Sequence, residues 1–257
     1  MLTPTEIARS LLAAGESKAR LSLGKMLLLA ILAGAYIALA GVGATAAAVT
    51  VESGSLAKLL SACVFPAGLS MVILAGSELF TGNCLMVMAL LERRITPAQL
   101  LRSWLTVYLG NAVGGAAVAA LAVYSHTASL FGDGLARSMV SIAESKAALG
   151  AGDAFLRGVL CNFLVCLAVW MAAASKRAEG KVVALFFPIL LFVLCGYEHC
   201  IANLYYLPAG AFAAAEYGME TTLTLAGCLK NLAAVTLGNL VGGAALGVGY
   251  RFAYLKE

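Results

Sequence analysis

The sequence predicts an all-α integral membrane fold of six transmembrane helices, an inverted repeat of three plus three with the second and fifth helices interrupted. Three observations predict it: composition, the number of apolar stretches, and an internal repeat. The 257 residues are 62% hydrophobic before the 27 glycines are counted, 12% are charged, and the mean hydropathy is +0.94. Soluble domains hold about 45–50% apolar residues with glycine included, and about 25% charged ones. A soluble protein of this size needs a polar shell over one core, and 17 basic and 13 acidic residues cannot form one.

Charge-poor stretches place the spans in order, at residues 26–51, 59–91 (broken only by Glu78), 103–124, 158–175, 182–215 (broken by Glu198 and His199) and 231–250. The start of the last extends to Lys230. Each is long enough, or nearly so, for a helix across roughly 30 Å of hydrocarbon. Glycine is frequent in such helices, and the alternating ten-residue segments of a β-barrel are absent. No cleavable signal is expected, because the first 25 residues are polar and mixed in charge. The whole chain, 1–257, reads as one transmembrane domain with repeat halves at about 26–125 and 155–250.

The loops fix the orientation. Twelve basic residues fall on one side: Arg9, Lys18, Arg20, Lys25, Arg93, Arg94, Arg102, Lys176, Arg177, Lys181, Arg251 and Lys256. Five fall on the other: Lys58, Arg137, Lys146, Arg157 and Lys230. The positive-inside rule then puts both termini in the cytoplasm, and the expected location is the cytoplasmic (inner) membrane.

The repeat is carried by two pairs of motifs. LGNAVGG at 109–115 returns as LGNLVGG at 237–243, and GSELFTGN at 76–83 is answered by GYEHCIAN at 196–203. Three spans per half force the halves to insert in opposite senses, the inverted arrangement of transporters whose interrupted helices meet near the midplane. Backbone freed at such breaks must be satisfied by protein or by a wet cavity. Glu78, Glu198, Asn83 and Asn203 are expected to support the breaks, while Asn111 and Asn239 serve as interhelical glue or as pore-lining donors. The adjacent Glu198 and His199 inside an apolar span mark a functional site. His126 lies in an outer loop and reads as ordinary surface.

Other chemistries find no support. One midspan histidine and scattered cysteines give no metal-ligand spacing, and no cofactor is expected. Neither a phosphate-binding loop nor a dinucleotide fingerprint is present, so transport must follow a gradient. The +4 net charge is too small and scattered for a nucleic-acid footprint. The seven cysteines form no C-x-x-C pair and read as reduced small hydrophobes. A histidine at this depth suits a small weak-acid anion, since it can donate a hydrogen bond or exchange a proton near neutral pH.

At GSELFTGN (76–83), GYEHCIAN (196–203) and GVLCNFLVCLAVW (158–170), the chain closely resembles the formate/nitrite transporter family, over residues 5–252 or so. The resemblance implies an aquaporin-like shape, a homopentamer with one pore per protomer, and a small monovalent anion such as formate, nitrite or hydrosulfide, often moved with a proton. By that likeness His199 is the central pore histidine, Thr81 the threonine of the broken second span, Asn162 a pore-side asparagine and Asn239 the asparagine of the sixth span. Lys146 raises the positive potential near the pore, Phe65 and Leu69 form a constriction on one side of His199, and Phe192 forms one on the other. The substrate is expected to gain a proton near His199 and cross as the neutral acid; alternatively His199 only donates a hydrogen bond and bulk water supplies the proton. Acetate or lactate are further candidate substrates. A water or glycerol facilitator would show two Asn-Pro-Ala boxes and a pore arginine, and the chain has neither. An enzyme built on Glu198 and His199 lacks a nucleophile placed with them.

Overall fold

The computed structural model describes residues 1–255, and Lys256, counted above among the inner basic residues, lies outside them. Twelve α-helices succeed one another along the chain: α1 (Pro4–Ala19), α2 (Leu23–Ala48), α3 (Gly54–Val64), α4 (Pro66–Ala75), α5 (Phe80–Asn83), α6 (Val87–Leu91), α7 (Pro97–Tyr124), α8 (Gly134–Ala148), α9 (Ala151–Ala173), α10 (Ala178–Leu194), α11 (Cys200–Glu216) and α12 (Leu225–Tyr254). Among the described residues there is no strand.

Five stretches are long and apolar enough to cross a membrane alone: α2, α3 with α4, α7, α9 and α12. The fifth apolar run is split into α10 and α11, 17 residues each, on either side of a break at Gly196, as α3–α4 is parted from α5–α6 by a break at Gly76. The protein is a multi-pass membrane protein, and its interrupted segments fall where Glu78 and Glu198 interrupt the apolar runs. Helices α7, α9 and α12 begin six or seven residues before the charge-free stretches do, carrying Arg102, Arg157 and Lys230 within them. Long basic side chains can reach the headgroups from inside a helix, so charge marked the hydrocarbon edge and not the helix end. Helices α1 and α8 were hidden among the loops because each buries one face only: Ile7, Ala8, Gly15 and Ala19 in α1, and six residues including Leu135 and Met139 in α8. Thr3 and Glu6 cap α1 reciprocally, which starts it sharply.

The repeat is physical. Helix α2 packs on α7 as α9 packs on α12, at matching glycines. A Cβ on Gly114 would run into the Ile31 carbonyl, and one on Gly242 into the Val159 carbonyl. Small residues let the backbones meet. At the breaks, Gly76 and Gly196 take left-handed φ of 77° and 69°, turning the chain out of α4 and α10 where a β-carbon would be strained.

The backbone beyond each break is held by an asparagine from the helix alongside. The Asn111 amide donates to the Ala30 carbonyl (2.7 Å) and the Glu78 carbonyl (3.0 Å), and its oxygen accepts from the Phe80 N–H (3.0 Å). Asn239 does the same with the Gly158 and Glu198 carbonyls (2.8 and 2.9 Å) and the Cys200 N–H (2.9 Å). The Glu78 N–H reaches the Leu29 carbonyl and the Glu198 N–H the Arg157 carbonyl, completing each strap. Polar backbone left bare in lipid would cost several kcal/mol per group; here it is paired.

At the opposite end of α11, the loop before α12 is tied to α8. The Glu144 carboxylate accepts from the Thr222 N–H (2.6 Å) and from the hydroxyls of Thr221 (2.9 Å) and Thr222 (3.1 Å). The Thr222 N–H and the Thr221 hydroxyl hold its carboxyl below the ordinary 4.5. A depressed carboxyl stabilises the fold above its unfolded value and loses that contribution as pH falls through its folded value. Protection of the amides at residues 221–223, taken relative to the intrinsic exchange rate at each pH, is therefore expected to fall once pH drops below the ordinary carboxylate range, and in Glu144→Gln to be already low at pH 7. Separately, Gly114→Ala and Gly242→Ala are each expected to lower stability by about 1–3 kcal/mol through overpacking, read as a fall in the thermal midpoint of detergent-solubilised protein.

Candidate functional site

Two vestibules approach one another from opposite faces. The first, of about 400 Å³, is lined by Lys146 on α8, Arg157 on α9, Lys58 on α3, and Glu198 and His199 at the α10–α11 break. The second, of about 470 Å³, is lined by Ser10 and Lys18 on α1, Glu78 and Asn83 at the α4–α5 break, and Lys181 on α10. Between them lies a chamber of only about 10 Å³, walled by Phe65, Leu69, Leu79, Ile189, Phe192 and His199 among others. That is room for about one water.

The closure differs in one respect from the sequence expectation. Phe65 does not face Phe192 across the histidine; the two rings meet edge-on at 5.7 Å and together shut the Lys146 vestibule. Leu69, one helical turn beyond Phe65, reaches the other depth and faces the Lys18 vestibule. Phe192 also lies nearly parallel to the His199 ring, at 5.8 Å and 17°.

His199 is 3% exposed and caps α11: its Nδ1 accepts from the Ala202 N–H at 3.0 Å. That bond fixes the tautomer. With Nδ1 as acceptor the proton sits on Nε2, which donates to the Thr81 hydroxyl at 3.0 Å. Adding a proton to Nδ1 would aim it at the Ala202 N–H and at the positive end of α11. The local geometry thus holds a neutral imidazole with its one N–H spoken for by Thr81.

Around this pair stand the other expected residues. The Asn162 amide donates to the Asn239 carbonyl (2.7 Å) and to the Thr81 carbonyl (3.3 Å), joining α9, α12 and α5 behind the histidine. Thr81, Asn111, Asn162 and Asn239 are all fully buried, and none lines the vestibules or the chamber. They hold the wall of the site from behind.

Each vestibule carries a lysine–carboxylate–asparagine cluster at its break. Lys146 binds both oxygens of Glu198, at 2.9 and 3.1 Å, and Glu198 accepts from the Asn203 amide at 2.7 Å. Lys18 binds Glu78 at 3.0 Å and the Asn83 oxygen at 2.7 Å, and the Asn83 amide reaches Glu78 at 2.8 Å. Lys146 is therefore not a free charge but half of a buried pair. Pairing makes the carboxylates tolerable, because a lone buried charge is heavily penalised. Asn203 also donates to Asn231 as Asn83 does to Ser103. Lys18, Ser103 and Asn231 were missed in the sequence. The signal was there: the offset carrying Asn111 onto Asn239 also carries Lys18 onto Lys146 and Ser103 onto Asn231. His199 breaks the symmetry, since its counterpart in the first half is Leu79.

Of the other residues noted in the sequence, Cys166 lies behind the site, its thiol donating to the Thr81 carbonyl at 3.4 Å. His126 is exposed in the loop after α7, and all seven cysteines are unbridged. Among the described residues no histidine, cysteine and acid cluster could hold a metal.

Known proteins share this sequence pattern and this fold. The family profile described as formate/nitrite transporter matches residues 5–253. A probable formate transporter of Methanothermobacter thermautotrophicus is 38% identical, covering 99% of this chain and 98% of that protein. The formate channel FocA of Haemophilus influenzae is 39% identical over 86% of this chain and 83% of its own length. Among solved structures, an FNT family ion channel superposes with a TM-score of 0.87 at 32% identity, covering 97% of this chain and 99% of that one. A pentameric formate channel with formate bound gives 0.80, also at 32%, covering 91% and 98%. With the broken helices, the paired vestibules and the apolar chamber in hand, these likenesses establish that the chain belongs to the formate/nitrite transporter family.

Proposed function

We propose that this pore carries formate, that the anion crosses the chamber as neutral formic acid, and that the proton comes from vestibule water while His199 remains a neutral hydrogen-bond donor. The observation that carries the reading is the chamber: about 10 Å³ walled by hydrocarbon side chains and one imidazole, with no cation facing it. An ionised carboxylate moved from water into such surroundings is opposed by roughly tens of kcal/mol in the continuum limit, whereas its protonated form faces only the cost of an amide-like polar group. A chamber this narrow disfavours acetate and lactate, and formate is taken as the substrate from the formate transporter and channels among the similar proteins.

The vestibules supply the rest. Lys146 with Arg157 and Lys58 on one face, and Lys18 with Lys181 on the other, raise the local anion concentration by field focusing. The anion and its proton then meet at the aromatic or aliphatic gate. His199 is favoured as donor over proton carrier by its Nδ1 bond to Ala202, which a carrier would have to break at each turnover. By charge bias the Lys146 vestibule faces outward and the Lys18 vestibule faces the cytoplasm. Five copies, each with its own pore, is the assembly that a pentameric formate-channel relative suggests.

Stopped-flow uptake into proteoliposomes tests this. At fixed total formate the initial rate is expected to rise about tenfold for each pH unit lowered, tracking the neutral acid. His199→Gln, which keeps a neutral donor, is expected to retain uptake within about tenfold. A rate independent of pH in the wild type would overturn neutral crossing. Uptake abolished in His199→Gln, in protein that still folds, would restore the histidine as an obligatory proton carrier.

A further inference from the structure

We infer that the Lys146 vestibule is a binding site for compact divalent oxyanions of the sulfate type, which lodge there, cannot pass, and block the pore from that side alone. The inference rests on the reading of this cavity as a pore mouth.

The charges of the two vestibules are unequal. Lys146 is neutralised by its bidentate contact with Glu198, and Lys18 by Glu78. Beyond these pairs, the Lys18 vestibule has one further cation, Lys181, and the Lys146 vestibule has two, Lys58 and Arg157. Neither of those two forms an ion pair or side-chain hydrogen bond among the described residues. Asp153, one turn before Arg157 on α9, does not pair with it. Lys58 lines the same cavity as Lys146 and Arg157, and Glu198, already held by Lys146, is the acid among the residues that line it. Two unneutralised cations brought together from α3 and α9 around a cavity of about 400 Å³ form a stronger site for two negative charges than for one.

The donor set fits the same ligand. Ser141 and Ser145 lie one turn apart on α8 beside Lys146, both exposed and lining the cavity, and their hydroxyls make no side-chain hydrogen bond among the described residues. Arg157 offers a planar fork and Lys58 a point charge, the two ways in which protein side chains hold tetrahedral oxyanions. At the inner end, the Phe65–Phe192 contact and the chamber of about 10 Å³ leave such an ion nowhere to go. A monovalent weak acid can shed its charge by taking one proton; at neutral pH a strong-acid dianion cannot. Selectivity against divalent anions therefore carries a consequence: they are attracted most strongly to the mouth that they cannot traverse. The total basic count, five residues on this side against twelve on the other, hides this, because three of the five converge here.

The test is sided inhibition in proteoliposomes with the protein inserted in one known orientation. Formate flux is measured with sodium sulfate on one face or the other, ionic strength being matched with chloride. Sulfate on the Lys146 face is expected to block competitively with formate, with a half-blocking concentration at least about tenfold lower than on the Lys18 face. Lys58→Gln with Arg157→Gln is expected to raise that concentration about tenfold or more, while Lys58→Arg with Arg157→Lys retains the block. Titration calorimetry of the purified wild type with sulfate at matched ionic strength gives a second reading that needs no flux. Equal block from both faces, block unchanged in the double Gln variant, or formate flux insensitive to sulfate would overturn the assignment. Absence of formate flux with sulfate still bound in calorimetry would instead count against the formate reading and leave the site standing.

Discussion

The structure depends on how it satisfies backbone at two breaks in the membrane. A helix that stops in hydrocarbon exposes N–H and C=O groups that neither water nor lipid can pair. Asn111 and Asn239 solve the problem identically, each spending its whole amide on one N–H and two carbonyls. The rest of the site hangs on those two brackets. Asn239 seats the Glu198 carbonyl and the Cys200 N–H, and so fixes His199 between them. Asn111 seats Glu78 and Phe80, and so fixes Leu79 and Thr81. The lysine–glutamate pairs then hold the far side of each break, and the glycine crossings bring the asparagine helices close enough to reach.

Two halves built on the same motifs make one asymmetric pore. The repeat delivers the brackets, the ion pairs and the vestibules twice. The chemistry arises where the copies differ, at His199 opposite Leu79, and where the gates differ, with the aromatic pair of Phe65 and Phe192 at one mouth and the aliphatic Leu69 at the other. Fixed charge differs as well, with two unneutralised cations in one vestibule and one in the other. Symmetry places the chamber between two like vestibules, and these departures give it a donor and two different gates.

Much of this was legible in sequence, for reasons that can be named. Composition and charge-free length exposed the spans, because hydrocarbon tolerates few charges. The motifs at 109–115 and 237–243, and at 76–83 and 196–203, exposed the repeat, because backbone crossings and broken helices demand particular residues at particular spacings. Helices α1 and α8 were not legible: their one-sided burial looks like a mixed loop, and so Lys18 was counted as an orientation charge while it in fact binds Glu78. The roles of Asn111 and Asn239 were left open in sequence because an asparagine facing a neighbouring backbone and one facing a pore share the same spacing. Only the hydrogen-bond partners separate them. The partner of Lys146 was hidden for a similar reason, since 52 residues of chain separate it from Glu198.

The bracketing asparagines make the pore possible. The most direct measurement is the thermal stability and formate flux of Asn239→Leu beside Asn111→Leu, near-isosteric changes that leave an N–H and two carbonyls unpaired in each half. At about 1–3 kcal/mol for each stranded group, either variant is predicted to lose most of its folded population and all measurable flux. Wild-type stability and flux in either one would show that the breaks are held by something else.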